Sequence, residues 1–111
     1  MANIARVDIL RIIQEGSITT SYTDLGSSFG HPMRILNFKN NTDGIIYVSF
    51  DGVNDNLDFP PHTFQLYDLT SDQDFDEKFR FSTGTQIFVK YVGTAPTTGY
   101  FSLSAIYGMG E

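Results

Sequence analysis

The residues of this sequence that could do chemistry lie mainly in one stretch, "FDGVNDNLDFPPH", between two apolar segments. Its carboxylates, Asp51, Asp55 and Asp58, are hard oxygen ligands of the kind that Ca²⁺ takes in groups. The spacing departs from an EF-hand loop, because Gly52 directly follows the first aspartate. Asp-Gly and Asn-Asp pairs are also common in turns, where the side chain bonds to its own backbone. We therefore interpret the stretch as a rigid turn and keep the three aspartates as calcium candidates.

A catalytic site is not indicated by the remaining polar residues. The chain has no cysteine, and no Gly-x-Ser-x-Gly elbow that would present a serine nucleophile occurs. His31 and His62 each stand beside a proline, without the spacing of a metal-binding pair. A second acidic segment, "DQDFDEK", is typical of a solvated loop. We expect a protein that is not an enzyme and that needs no cofactor.

Composition and charge exclude several classes of partner. The 111 residues fit one domain, and 13 acidic against 7 basic residues give a formal net charge of −6. The basic residues are scattered, so we expect no binding to nucleic acid or to an anionic membrane. The N-terminal "MANIARVDILRII" is interrupted by Asp8 and Arg11, which predicts no signal peptide and no membrane span.

The pattern of apolar residues predicts an all-β fold with seven or eight short strands, an antiparallel β-sandwich or jelly-roll-like domain. The segments "MRILNFK" and "GIIYVSF" read as strands joined through "NNTDG" as a hairpin. In the first of them Met33 and Ile35 alternate with Arg34, Leu36 and Phe38. The segments "TFQLYDL", "FRF", "QIFVKYV" and "YFSLSAIY" read as further strands, and "DGVNDNLDFPPH" as a long turn. Their alternation predicts which residues share a face: Phe64 and Leu66, opposed to Gln65 and Tyr67; Ile87, Val89 and Tyr91; and Phe101, Leu103, Ala105 and Tyr107.

The first sixteen residues are predicted to be an N-terminal strand or arm, and residues 17–111 a single sandwich domain. Between Ile4 and Ile13 the spacing fits a strand or a helix, and the many Val and Ile residues favour a strand with Val7, Ile9 and Ile13 on one face. These apolar residues near a chain end would be buried if the segment joined the sheet of a neighbouring subunit.

Tyrosines form a second group of candidate contact residues. Tyr47, Tyr67, Tyr91 and Tyr100 alternate with apolar positions in the predicted strands and could stack against sugars on one sheet face. Tyrosine is equally an anchor of protein–protein interfaces. The absence of tryptophan argues against a sugar platform. The candidate interface residues are therefore Ile4, Val7, Ile9, Ile12, Tyr47, Tyr67 and Tyr100.

The order of these motifs resembles that of small virion proteins of tailed bacteriophages. The resemblance rests on "N-x-T-D-G-x-x-x-V-S-F-D-G-V-x-D", on "F-P-P-H-T-F-x-x-Y-D-L-T-S", on "G-T-Q-I-F-V-K" and on "T-G-Y-F-S-L-S-A-I-Y-G", and it covers residues 19–108. It implies a compact β-sandwich that assembles around a ring or at a symmetric vertex, in the neck, in the tail or on the capsid. The matching residues are turn and core residues, so no functional residue carries over.

The sequence thus predicts a non-enzymatic structural component of a virion, assembled in the host cytoplasm with itself and with other virion proteins. The alternative is a carbohydrate- or receptor-binding module displayed on the virion. In that case calcium bound at Asp51, Asp55 and Asp58 would assist ligand binding. Both classes use β-sandwiches, so the fold alone does not separate them.

Overall fold

The computed structural model describes residues 4–68 and 81–109 of the chain. These residues form nine strands and a short 3₁₀ turn at Glu15–Ser17. The strands are β1 (Ile4–Val7), β2 (Arg11–Gln14), β3 (Thr23–Asp24), β4 (Met33–Thr42), β5 (Ile45–Ser49), β6 (Leu57–Phe59), β7 (Thr63–Asp68), β8 (Phe88–Val92) and β9 (Gly99–Met109). The predicted all-β class is confirmed, with more strands in the described residues than the seven or eight expected.

The strands form two antiparallel sheets that pack together as a sandwich. Sheet A has the order β1-β9-β4-β7, and β2 also pairs with β9 beyond the end of β1. Sheet B has the order β3-β8-β5-β6. Its edge strands are short, whereas the edges of sheet A are formed by β1 and β2 on one side and by the six residues of β7 on the other.

The core lies between the sheets and is built from alternating side chains. Phe101, Leu103 and Ala105 of β9 are buried and Tyr107 packs against the core, so these residues share a face as the sequence predicts. Ile87, directly before β8, and Val89 within it are also buried, while Tyr91 packs at the margin of the core. Phe38 from sheet A has its ring centroid 5.6 Å from that of Phe59, a residue of sheet B. Aromatic packing across the interface therefore holds the two sheets together.

The predicted hairpin at "NNTDG" is wrong, because β4 and β5 belong to different sheets. β4 pairs with β7 and β9, while β5 pairs with β6 and β8. The turn at Asp43 and Gly44 is therefore a corner between the sheets. Asn, Asp and Gly indicate a turn, but they do not specify which sheet the following strand joins.

The predicted alternation of Met33 and Ile35 against Leu36 and Phe38 is also wrong. Met33 pairs with Tyr107, while Ile35 pairs with Ile106, so that Arg34 is an extra residue in β4. This β-bulge reverses the alternation at one point. Met33, Leu36 and Phe38 are consequently all buried in the core.

The N-terminal segment is strand rather than helix, but it is not one continuous strand. Val7 pairs with Ile106 and Arg11 with Leu103, so three residues, Asp8–Leu10, span two residues of β9. Ile13 packs on the core while Val7 is exposed, which corrects the prediction that they share a face. The described part of the predicted arm thus pairs with β9 of its own chain.

Buried Arg11 anchors this N-terminal edge to the sandwich. Its guanidinium donates to the backbone carbonyl of Ser27 at 2.8 Å and to the Asp8 carboxylate at 2.8 Å, and it lies over the ring of Phe29. Desolvation raises the pKa of Asp8, but the hydrogen bonds and charge of Arg11 outweigh it and hold that pKa below its usual value. The ion pair therefore fixes the place where β1 passes into β2.

Two other predicted elements differ in part from the structure. The long turn from Asp51 to His62 contains the short strand β6, which pairs with β5. Phe81, the last residue of the predicted "FRF" strand, forms a single bridge with Met33. The rest of that strand and the predicted acidic loop "DQDFDEK" lie outside the described residues.

Asn40 connects the sandwich corner to the turn between β6 and β7. Its side-chain amide donates to the carbonyls of Gly44, Phe59 and Pro60 at 2.9 to 3.0 Å. Its side-chain oxygen accepts from the Thr42 amide and hydroxyl. Because the residue is buried, these groups have no water to replace a lost partner.

Replacement of Asn40 by alanine should lower the free energy of unfolding by about 3 kcal/mol, since several buried backbone groups lose their partner. The matched control is Asn41→Ala, at the half-exposed neighbouring position, which should change it by no more than about 0.5 kcal/mol. Urea denaturation of both variants measures the difference. Equal losses in the two variants would contradict the connecting role of Asn40.

Candidate interaction surface

The face of sheet A that points away from the core is a broad surface made of residues from every strand of that sheet. Directly paired residues in antiparallel strands point to the same side. One row across this outer face therefore runs through Phe64, Lys39, Ser102 and Ile12. Lys39 brings its ammonium group to 5.7 Å from the ring of Tyr100. The centre of the face is mixed in character, whereas its margins are apolar.

Exposed apolar side chains are concentrated at the two edges of sheet A. Among the described residues, six of the eight large apolar side chains found exposed belong to these edges: Val7, Ile9, Leu10 and Ile12 on the N-terminal side, and Phe64 and Leu66 on β7. Val7 is 77% exposed and Phe64 70%. Single exposed apolar residues are ordinary, but groups of them at sheet edges mark contact surfaces.

Three of the predicted interface residues lie on this N-terminal edge. Val7, Ile9 and Ile12 are all exposed. Ile4 lies in β1, and its side chain is outside the described part of the structure. The edge carries the apolar character that the sequence predicts, although its own backbone is paired with β9 on one side.

The tyrosines do not share a face. Tyr67 points inward, with its ring 6.0 Å from that of Phe38 and its hydroxyl bonded to Gln65. Tyr91 packs on the core, Tyr47 is half-buried in sheet B, and Tyr100 is half-buried in sheet A. A single sugar-stacking platform of these four rings is therefore not formed.

Sequence reasoning missed the second apolar edge. Phe64 and Leu66 alternate with Gln65 and Tyr67, as predicted, but both faces of β7 carry apolar groups. Periodicity alone cannot decide which of the two faces is buried. Pairing with β4 determines which face of β7 is buried, because Phe64 lies opposite exposed Lys39, whereas Tyr67 lies opposite buried Leu36.

The carboxylate of Asp51 serves its own turn. It accepts hydrogen bonds from the backbone amides of Val53 and Asn54, each at 2.8 Å, and from the hydroxyl of Ser49. The hydrogen bond from the Asn54 amide, with the others, holds the pKa of Asp51 far below its usual value. Gly52 supports the same turn with a φ of +80°. This is the turn chemistry that the sequence predicts.

Asp55 and Asp58 have other surroundings. Asp55 accepts a hydrogen bond from the hydroxyl of Tyr22 and lies 3.3 Å from the ammonium of Lys90. Burial and this hydrogen bond raise the pKa of Tyr22, whereas the pKa of Asp55 is lowered. The backbone carbonyl of Asp58 accepts a hydrogen bond from the side-chain amide of Gln65. Within residues 4–68 and 81–109, no group of three or more acidic or histidine side chains could hold a metal ion.

A groove of about 330 Å³ opens beside β7 on sheet A. Its lining includes Asn37, Lys39, Asn41, His62 and Phe64. The side-chain oxygen of Asn37 is buried and has no hydrogen-bond partner among the described residues. An acceptor of this kind could be satisfied by a hydroxyl or amide group of a bound molecule. His31, the other histidine, stacks on Tyr107 at 4.0 Å outside this groove.

The free energy of unfolding should decrease as the pH falls below about 4, because exposed turn carboxylates bind protons less readily in the folded protein than in the unfolded chain. The side-chain and backbone hydrogen bonds of Thr97 lower the pKa of Asp43 to about 2, and the pKa of Asp51 is also lowered. Their stabilisation is complete above the unfolded carboxyl pKa of about 3.9 and is lost as the pH falls towards the folded values. Thermal midpoints from pH 2 to 7 measure this loss.

Asp43→Asn combined with Asp51→Asn should reduce the decrease of the thermal midpoint below about pH 4, because the two titrating carboxylates are removed. The control is Asp24→Asn, at an exposed position of β3, and it should keep the wild-type profile. An unchanged decrease of the thermal midpoint in the double variant would show that these two turns do not set the pH dependence.

No family model, curated protein or solved structure that was compared matches this chain. In the described residues no helix is long and apolar enough to cross a membrane. The function of the chain is therefore inferred from its sequence pattern, from the two apolar edges of sheet A and from the groove beside β7.

Proposed function

We propose that this chain is a non-enzymatic structural component of a tailed-phage virion that assembles as an oligomer at the neck, in the tail or on the capsid surface. The observation that carries the proposal is the exposure of six apolar side chains at the two edges of sheet A, within the described residues. Its partners are further copies of itself and other virion proteins, and its place of assembly is the host cytoplasm.

Leaving these apolar edges in water costs free energy that association recovers. Burial of a large apolar side chain stabilises an association by roughly 1.5 to 3 kcal/mol. Several such side chains per copy can offset the entropy lost on association. A β7 edge with exposed Phe64 and Leu66 would otherwise invite unspecific aggregation, which natural sheets avoid by covering or charging their edges.

The hydrogen bonds of three charged residues also support a structural role. Asp51 and Asp43 bind backbone amides of turns, and Arg11 binds backbone carbonyls beside β2. The lowered pKa values of the two aspartates have their causes in these turn hydrogen bonds rather than in a cleft. Perturbed carboxylates used in this way maintain loop geometry and leave the edges of sheet A as the surface available for contacts.

The double variant Phe64→Ser, Leu66→Ser should reduce the mass of the purified protein from that of a defined oligomer to that of a monomer. Loss of apolar area at the β7 edge is the physical reason. The matched control is Val53→Ser, because Val53 is 79% exposed but lies in the turn after β5. Light scattering measures the mass, with and without calcium.

A calcium-indifferent oligomer that survives Val53→Ser and dissociates in the β7 double variant is the expected result. A wild-type monomer at all concentrations would contradict self-assembly. An oligomer that the β7 double variant leaves intact would show that the edges do not carry it. A mass that depends on calcium would favour the binding module instead.

The second candidate function, a carbohydrate- or receptor-binding module, is favoured by the groove beside β7. Asn37 and Asn41 supply amide groups and Phe64 an apolar wall, a combination suited to a sugar. Nuclear magnetic resonance titration with a panel of neutral and acidic disaccharides tests it. Shifts confined to Asn37 and its neighbours, abolished in Asn37→Ala, would support binding, whereas an unchanged spectrum would exclude this class of ligand.

A further inference from the structure

The two apolar edges of sheet A lie on opposite sides of the same sheet. β1 and β2 occupy one end of the strand order and β7 the other. Among the described strands, none pairs with the outer side of β7 or with the outer side of β1 and β2. Sheet B differs, because its edges, β3 and β6, are only two and three residues long. Within residues 4–68 and 81–109, sheet A is therefore the sheet whose two edges are long enough to add a strand.

The direction of the strands makes these two edges complementary. The strands of sheet A pair antiparallel, and the sheet is four strands wide, with β1 and β2 following one another along the same edge. β7 consequently runs opposite to β1 and β2. If a second copy continues the sheet in the same orientation, its β1 and β2 run antiparallel to β7 of the first copy. The joint then has the same hydrogen-bond pattern as the rest of sheet A.

The apolar side chains also match across such a joint. Phe64 and Ile12 lie at opposite ends of one row on the outer face. When the row continues into the next copy without a shift, Phe64 meets Ile12 of that copy. Leu66 then meets the bulge at Asp8–Leu10, where Ile9 and Leu10 are exposed. Apolar cross-strand neighbours of this kind stabilise antiparallel sheets.

Charge disfavours pairing of two N-terminal edges. Residues 4–14 carry exposed Arg6 besides the internal ion pair of Arg11 with Asp8, so two β1–β2 edges brought together would place like charges side by side. The strand β7, Thr63–Asp68, contains no Lys or Arg. Pairing of β7 with β1 and β2 therefore avoids this repulsion.

We infer that copies of this chain associate head to tail, with the β7 edge of each copy pairing with the β1–β2 edge of the next to continue sheet A. Such an interface is heterologous, so it generates a ring when the rotation between copies closes and a filament when it does not. This inference rests on the proposed self-assembly and specifies which surfaces meet.

Because the chain has no cysteine, single introduced cysteines test the pairing directly. Gln14→Cys labels the end of β2 and Pro61→Cys the turn that leads into β7, and both positions are exposed. A short bismaleimide is added to each variant alone, to their mixture after dissociation and reassociation, and to the double variant. Ser17→Cys and Pro60→Cys form a second pair. Gln14→Cys mixed with Thr94→Cys, in the exposed loop after β8, is the control.

The expected result is a covalent dimer in the mixture, a ladder of higher species in the double variant, and no cross-linked product in either single variant or in the control. Cross-linked dimers within a single variant would show pairing of like edges and overturn the inference while leaving self-assembly intact. An oligomer that gives no product with either pair would overturn it as well. Light scattering that finds monomers throughout would overturn both the inference and the proposed self-assembly.

Discussion

The register of β9 is the constraint on which the arrangement of sheet A depends. This strand of eleven residues pairs with β4 on one side and with β1 and β2 on the other. It begins at Gly99, where the positive φ and the close approach of the Asn41 carbonyl leave no room for a side chain. A shift by one residue would exchange the buried and exposed faces of β9. The fixed register therefore determines which side chains line the core and which face outward.

Two bulges adapt the neighbours of β9 to this register. Arg34 is the extra residue in β4, and the segment Asp8–Leu10 provides another between β1 and β2. Each bulge reverses the alternation of its strand, so that Met33 joins Leu36 in the core, and Val7 and Ile12 both remain outside. The apolar edges that we propose as contact surfaces are therefore a consequence of backbone geometry as much as of residue type.

Regular alternation made much of this fold predictable from sequence. The inward residues of β8 and β9 follow a strict period of two, and the turn at Asp51 follows from local side-chain chemistry. The bulges and the passage from β4 to sheet B depend on contacts between distant segments, such as those of Asn40, which a local pattern does not contain. The β7 edge was missed for the same reason, since Phe64 and Tyr67 differ only in what lies opposite them.

Backbone hydrogen exchange in the assembled protein tests the central claim, pairing through the two edges of sheet A, most directly. Pairing should slow exchange of amides in β7 and in β1 and β2, relative to a dissociated edge variant such as Phe64→Ser, Leu66→Ser. The short edges β3 and β6 of sheet B should exchange equally in both proteins. Equal exchange of β7 in the assembled and dissociated proteins would contradict the account.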